Sequence, residues 1–212
     1  MVRQRVRLYF TKSGTLKFIG HNDLLRNFEM LFRRAGLRLA MSEGFHPKIK
    51  MSSPSALALG IEGFSEILEL EFEESAEPVI PDALLAVLNR HSVPGLQFVS
   101  AALLPEGTKK AQLVSSVYEV QIPEGLLPAT AEKVRYFMEQ DTVSVEKSSG
   151  KNVDVRKAIA EITLNEKFRS LFVEILTQHG PEAGIKEVLT VLGLSGELFK
   201  TVFPKRILCK VR

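Results

Sequence analysis

The apolar residues of this chain recur with two different spacings, and the order of these spacings leaves few folds open. Between residues 2 and 10, polar and apolar side chains alternate, which is typical of a strand with one buried face. Residues 21–35 instead carry apolar side chains at intervals of three and four, which predicts an amphipathic helix. Asn22 or Asp23 is suited to cap the start of this helix, and Gly36 is suited to end it.

The same two patterns continue to residue 104 and make up one supersecondary unit. Strands are predicted near residues 66–73 and 96–104, a helix from 81 to 89, and a strand or an extended loop at 53–60. The predicted order is therefore β-α-β-β-α-β, the order of the ferredoxin-like unit. We expect its first and third strands to be central neighbours that run parallel.

The second half of the chain repeats this order. Strands are predicted at 115–122, 142–147, 168–176 and 206–211 and helices at 130–139 and 182–192, and residues 153–159 are expected to pair back across a turn at 148–152. Residues 105–110 form the natural seam between the halves. The sequence therefore predicts an α+β protein of two tandem ferredoxin-like (βαββαβ) sandwiches with antiparallel sheets, over residues 1–107 and 111–212.

Composition places the chain among ordinary globular proteins. With 45% hydrophobic and 25% charged residues in 212, it has enough apolar side chains for a packed core. It contains no apolar stretch near the roughly 18 residues of a membrane span, and its first residues lack the apolar core of a signal peptide. Its one cysteine, Cys209, excludes an internal disulfide framework. We expect a cytoplasmic protein that does not bind membranes.

The net charge of +3 conceals a strong separation of charge along the chain. Residues 1–50 contain eleven Lys and Arg against three Asp and Glu, whereas residues 51–82 contain eight acidic residues and no basic one. Neighbouring strands would place two sets of these side chains on one open sheet face as an ionic ladder: Arg3, Arg5 and Arg7 against Glu69, Glu71 and Glu73. An alternative is that this face is a nucleic-acid platform.

The positive charge that such a ladder leaves over lies on the first helix and the loop that follows it. These residues are Arg26, Arg33, Arg34, Arg38, Lys48 and Lys50. An anionic partner such as RNA is expected to bind there. The candidate substrate-binding residues are Arg26, Arg33, Arg34, His46, Lys48 and Lys50.

Candidate catalytic residues are few. His21 and His46 lie in polar loops at the two ends of the first helix, about 20 Å apart along its axis unless the 42–50 loop folds back. Together with Asp23 they are the candidates for acid–base chemistry on an RNA backbone. No H-x-x-x-H or Cys/His pairing occurs, so no metal site is predicted. No nucleotide-binding glycine motif occurs either, and no cofactor is predicted.

Five segments of the N-terminal half resemble one bacterial family. They are RLYFTKSG at 7–14, KFIGHNDL at 17–24, FRRAGL at 32–37, SEGFHPK at 42–48 and LGIEGFSE at 59–66. In this order and spacing they resemble the radical SAM-linked proteins, a family of unknown function designated DUF2344. The resemblance implies a domain fused to, or encoded beside, a radical SAM enzyme, often one with a cobalamin-binding region.

One cysteine cannot supply the three that hold the iron–sulfur cluster of a radical SAM enzyme, so this chain is expected to be the companion and not the catalyst. The first hypothesis is a non-catalytic accessory protein that presents a substrate, plausibly RNA, to a separate radical SAM enzyme. The second is a stand-alone, metal-independent RNA-processing enzyme of the tandem ferredoxin-like type. The third is a protein–protein scaffold.

Overall fold

The computed structural model describes residues 4–74, 77–147, 149–177 and 183–212. The chain divides into two compact units, Met1–Gln112 and Leu113–Arg212. Both mix helices with antiparallel strands, so the α+β class predicted from the sequence is confirmed. No helix among the described residues is long and apolar enough to cross a membrane.

The described residues of the N-terminal unit form four strands and two α-helices. They are β1 (Arg5–Lys12), α1 (His21–Arg34), β2 (Met51–Ser52), β3 (Glu62–Glu71), α2 (Pro81–His91) and β4 (Leu96–Leu104). A short 3-10 turn, Gly14–Phe18, precedes α1. The predicted strands and helices are present within a few residues of their expected bounds. The segment 53–60 is an extended loop, and the strand before it has only two residues.

The strands of this unit pair in the order β4-β1-β3, with β2 on the far side of β3. Every pair is antiparallel, and Arg5 lies opposite Glu71 while Arg7 lies opposite Glu69. The expectation that the first and third strands run parallel is therefore wrong. The physical reason is that β3 pairs antiparallel with β2, so the chain reverses direction once more before it returns beside β1.

The outermost strand of this sheet carries an irregularity. Tyr9 of β1 lies opposite Ser100, but the next residue, Phe10, lies opposite Phe98. Val99 is therefore an extra residue in β4, a one-residue bulge whose side chain is exposed.

The core of the N-terminal unit lies between one sheet face and the two helices. Alternate residues of β1 are buried there, as the period-two pattern predicted: Val6, Leu8 and Phe10. The apolar stripe of α1 packs against them through Leu24, Phe28, Leu31 and Phe32. The Phe28 ring meets Phe10 edge-on, with ring centroids 5.1 Å apart, and stacks on Phe32 at 5.9 Å. This packing fixes which face of α1 remains in solvent.

The two ends of α1 are formed differently from each other. Gly20 is the N-cap residue, and no side chain caps the helix, so the expected caps Asn22 and Asp23 lie inside its first turn. At the other end, Gly36 has a φ of +66°, and its N–H donates to the carbonyl of Arg33 at 3.1 Å. The N–H of Leu37 reaches back to the carbonyl of Phe32 at 3.1 Å, which completes a Schellman motif. The predicted helix stop at Gly36 is confirmed.

In the part of the C-terminal unit that the structure describes, there are six strands and three α-helices. They are β5 (Leu113–Gln121), α3 (Leu127–Glu139), β6 (Ser144–Glu146), β7 (Asn152–Asp154), α4 (Val155–Ala158), β8 (Ile159–Asn165), β9 (Ser170–Leu176), α5 (Ile185–Val191) and β10 (Pro204–Val211). Strands β10, β5, β9 and β8 pair in that order, all antiparallel. The strand β8 was not predicted, and β6 pairs with β7 in a separate hairpin. The predicted start of the last helix, Glu182, lies outside the described residues.

Candidate functional site

The outer face of α1 carries the basic residues that the sequence singled out. Because Leu24, Phe28, Leu31 and Phe32 take up the inner stripe, the side chains of Arg26, Arg33 and Arg34 are left in solvent. The loop 42–50 adds the exposed Lys48. We call Arg26, Arg33, Arg34 and Lys48 the helix–loop surface.

The loop 42–48 is closed at its base by two hydrogen bonds. The N–H of Ser42 donates to the carbonyl of Lys48 at 2.7 Å, and the N–H of Lys48 donates to the Ser42 hydroxyl at 2.9 Å. Met41 and Ile49 form a β-bridge just below this closure. Gly44 has a φ of +115°, a backbone conformation that residues with a side chain rarely adopt. The loop therefore has a defined conformation. From the sequence we could say only that this segment is rich in residues that favour turns.

The chain after this loop returns to the N-terminal half of α1. Lys48, Ile49 and Met51 face the helix across a cleft of about 430 Å³. The helix lines the other side of the cleft with Asn22, Leu25, Arg26 and Glu29. Leu25, Ile49 and Met51 form its apolar part. The sequence left open whether the loop 42–50 folds back along the helix. It does so, and this brings Arg26 and Lys48 to one cleft.

The cations of this region differ in how they are compensated. Arg26 pairs with Asp23 at 3.4 Å in an exposed i,i+3 pair, and Lys50 lies 3.8 Å from Glu71. Arg34 donates to the carbonyl of His91 at 3.1 Å and has no acidic partner among the residues that the structure describes. Arg33 and Lys48 are exposed and have no side-chain partner in the part of the chain that the structure describes. Their charges are therefore fully available to an anionic ligand.

The candidate catalytic residues are not gathered at one point. His21 is the first residue of α1, and His46 is exposed in the 42–48 loop. Neither is among the described residues that line the cleft beside α1. The Asp23 carboxylate accepts from Arg26 at 3.4 Å. Across the described ranges, no three His, Cys, Asp or Glu side chains converge as a metal site would require.

The sheet face opposite the helices holds part of the predicted charge ladder, centred on Glu69. The buried Glu69 carboxylate accepts from Arg5 at 2.7 Å and from Arg7 at 2.8 Å. Burial pulls the pKa of the Arg7 guanidinium down, but the hydrogen bonds and charge of Glu69 outweigh it, so this pKa lies above its ordinary value. Glu71 is drawn to Lys50 instead, Glu73 lies beyond the end of β3, and Arg3 lies outside the described residues.

A second cleft, of about 370 Å³, lies at this ladder. Its charged lining comprises Arg5, Lys50, Lys110, Glu69 and Glu71. The guanidinium of Arg5 also donates to the carbonyl of Thr108. The cations and carboxylates of this cleft nearly balance, so it is a weaker candidate for an anionic ligand than the helix–loop surface.

Three residues that lie in these clefts or in the loop 42–48 were not among the candidate site residues predicted from the sequence. Asn22 was taken as a helix cap but lines the cleft beside α1. Lys110 is the last residue of the predicted seam, and no local pattern links it to the sheet. Phe45 is fully exposed, at 102%, although aromatic residues are usually at least partly buried. The sequence feature that could have indicated this exposure is the position of Phe45 among Gly, His, Pro and Lys residues.

Comparison with known proteins gives a family but no activity. Residues 5–186 match the profile of a family described as "Uncharacterized protein conserved in bacteria (DUF2344)". The match covers most of both units, whereas the resembling segments lie within residues 7–66. No curated protein matches the chain.

Proposed function

Because this chain belongs to the DUF2344 family of uncharacterised bacterial proteins, we propose that it is a non-catalytic accessory protein of a separate radical SAM enzyme and binds an RNA substrate for it. The link to radical SAM chemistry rests on the family resemblance of the five N-terminal segments. A single cysteine, the buried Cys209, supports the accessory role, since the cluster of such an enzyme needs three.

The observation that carries the RNA-binding part is the positive charge that Arg33, Arg34 and Lys48 of the helix–loop surface leave uncompensated. Other basic side chains of the N-terminal unit have acidic partners, such as Arg5 and Arg7 with Glu69, and Lys17 with Glu62 at 3.9 Å. Arg33, Arg34 and Lys48 have none among the described residues. Exposed Arg and Lys beside a cleft are what phosphate groups bind, and each bound phosphate makes the affinity depend on salt.

We also propose that each unit is a ferredoxin-like βαββαβ sandwich. The strand orders β4-β1-β3-β2 and β10-β5-β9-β8 support this, as do the helices that separate the strands along the chain. In such a unit the first and second strands run parallel on either side of the third, so the third must run antiparallel to the first. A shared architecture would say nothing of activity by itself.

Removal of two unpartnered cations tests the RNA-binding surface. We predict that the double variant Arg33→Ala/Lys48→Ala binds single-stranded RNA more weakly, because one or two phosphate groups of the RNA are then held by no cation. The slope of log affinity against log salt should flatten by about 0.7 for each phosphate that is no longer bound. Fluorescence anisotropy of a labelled RNA pool over a salt series measures both quantities.

The matched control is Arg135→Ala/Lys167→Ala, which removes the same two residue types from exposed positions in the C-terminal unit. If both double variants change affinity and slope equally, only net charge matters and the helix–loop surface is not the site. RNA cleavage products that vanish in His21→Ala would instead indicate an RNA-processing enzyme.

Co-purification tests the partner. The tagged chain, expressed together with a radical SAM enzyme of the same bacterium, is expected to retain that enzyme through affinity and size-exclusion steps. Absence of a complex, with and without added RNA, would contradict the accessory role. A complex that forms equally well with the Arg33→Ala/Lys48→Ala variant would show that enzyme and RNA use different surfaces.

A further inference from the structure

Phe45 stands at the tip of a closed loop with its whole side chain in water. Its exposure is 102%, the highest of the exposed large apolar residues among those described. The loop beneath it is fixed by the two hydrogen bonds between Ser42 and Lys48, so this exposure does not come from a frayed end. Burial of a phenylalanine ring normally stabilises a fold, but the ring of Phe45 is not buried and so contributes no such stabilisation.

Apart from Pro47, the side chains around Phe45 in this loop are polar or charged. Glu43, His46 and Lys48 of the same loop are all exposed. Protein interfaces surround their aromatic anchors with a broad, mainly uncharged core, which this loop does not provide. An aromatic ring beside cations is instead the combination that binds single-stranded nucleic acid, since bases stack on the ring while cations hold the phosphates.

We propose that the loop 42–48 binds unpaired RNA, with a base stacked on Phe45 and the flanking phosphates held by Lys48 and Arg26. These two cations line one cleft, and Lys48 follows the ring by three residues along the chain. Base faces are hidden inside a duplex, so only single strands, loops or bulges can use the ring. This inference rests on the proposed RNA-binding function and names the form of RNA that is bound.

A tryptophan at position 45 gives a direct optical test, because the chain contains none of its own. In Phe45→Trp, an unlabelled single-stranded RNA of about 12 nucleotides should quench the tryptophan fluorescence, as stacking on a base does. The duplex of the same sequence should quench it far less. Quenching that is equal for duplex and single strand overturns the inference.

Affinity measurements separate stacking from charge. Phe45→Ala should weaken single-strand binding roughly 10-fold, leave duplex binding unchanged and leave the salt slope unchanged, since the net charge stays the same. Lys48→Ala should flatten that slope. Phe45→Leu controls for apolar character alone and should bind as weakly as Phe45→Ala. All three variants should keep the urea midpoint of the parent chain, because these side chains are exposed.

The possible failures are distinguishable. If the parent chain binds no RNA even at low salt, the proposed RNA-binding function fails and the inference fails with it. If the parent binds and Arg33→Ala/Lys48→Ala flattens the salt slope, but Phe45→Ala binds normally, only the inference fails. A Phe45→Ala variant that loses the radical SAM enzyme but keeps its RNA affinity would overturn the inference and make Phe45 a protein-docking residue.

Discussion

Glu69 shows how one residue organises the charges of a sheet. Its carboxylate is buried and lies between two guanidinium groups, whereas Arg5 and Arg7 keep part of their surface in solvent. A buried carboxylate without its charge partners is unfavourable, and two partly buried guanidinium groups without the carboxylate are as well. The carboxylate therefore ties β1 to β3 in one register.

We predict that Glu69→Gln lowers the free energy of unfolding by about 3 kcal/mol, because it leaves Arg5 and Arg7 without their shared counter-charge. Urea unfolding followed by circular dichroism measures the loss. Glu73→Gln, at an exposed position beyond β3, is the control and should change little. Equal losses in the two variants would mean that the ionic contacts of Glu69 do not stabilise the fold.

Glu174 in the C-terminal unit makes stability depend on pH. Hydrogen bonds from Lys210 at 2.8 Å and Ser115 at 2.5 Å hold its pKa below its ordinary value, against the opposing effect of burial. A carboxylate whose pKa is lower in the folded than in the unfolded state adds stability above the unfolded-state pKa. That stability is lost as the pH falls through the folded-state pKa.

Glu174→Gln should therefore unfold more easily than the parent at neutral pH, and the difference should vanish once the pH is below the folded-state pKa of Glu174. Urea midpoints over an acid-to-neutral series measure it. Glu166→Gln, which removes a carboxylate at the end of β8, is the control. A difference from the parent that stays constant over the whole series would contradict the linkage to Glu174.

At the level of single residues, the sequence predicts which face a side chain occupies but not which partner it meets. The alternation in β1 placed Arg5 and Arg7 correctly on the open face. It did not reveal that Arg5 pairs with the diagonal Glu69 and not with Glu71, its opposite residue, while Lys50 lies beside Glu71. The choice of ion-pair partner depends here on residues that are distant in sequence from β1.

Among the elements, α1 is the one most fully specified by local sequence. Its apolar stripe and its terminal glycine lie within 16 residues and act through short-range sterics and hydrogen bonds. The two-residue β2 forms by pairing with β3, and β8 forms by pairing with β9. Because these pairings are long-range, no local sequence pattern predicted the two strands. The fold-back of the 42–50 loop has the same origin, since it depends on bridges such as Met41 to Ile49.

The end of α1 allows a clean test of backbone conformation. Gly36→Ala should lower stability by about 1 kcal/mol, because an L-residue at a φ of +66° crowds its own backbone while no neighbour lies within 4 Å. Thermal unfolding measures the effect. Gly125→Ala is the matched control, since its site is equally open and its φ is not positive. A loss in Gly125→Ala as large as that in Gly36→Ala would contradict the conformational explanation.

On the scale of the whole molecule, charge is the property that sequence and structure describe differently. In the sequence, residues 1–50 are strongly basic and residues 51–82 strongly acidic, while the net charge of the chain is only +3. Folding brings much of each together, as in Arg5, Arg7 and Glu69, and leaves the exposed cations of the helix–loop surface. The class of fold and the α1 part of that surface could be predicted from sequence. The cleft that brings Lys48 to α1 could not, because long-range folding creates it.

The bulge at Val99 bears on how copies of the chain meet. Among the described residues, β4 pairs with β1 and with no other strand, and on β4 the N–H and carbonyl of Phe98 are bonded to the side chain of Asn89. An uninterrupted edge of nine residues is a template on which another strand can grow. The extra residue, Val99, divides this edge into two short pieces whose hydrogen-bonding registers differ by one residue. A strand of a neighbouring molecule therefore cannot pair in one register along the whole of β4, and a bulge of this kind disfavours edge-to-edge aggregation.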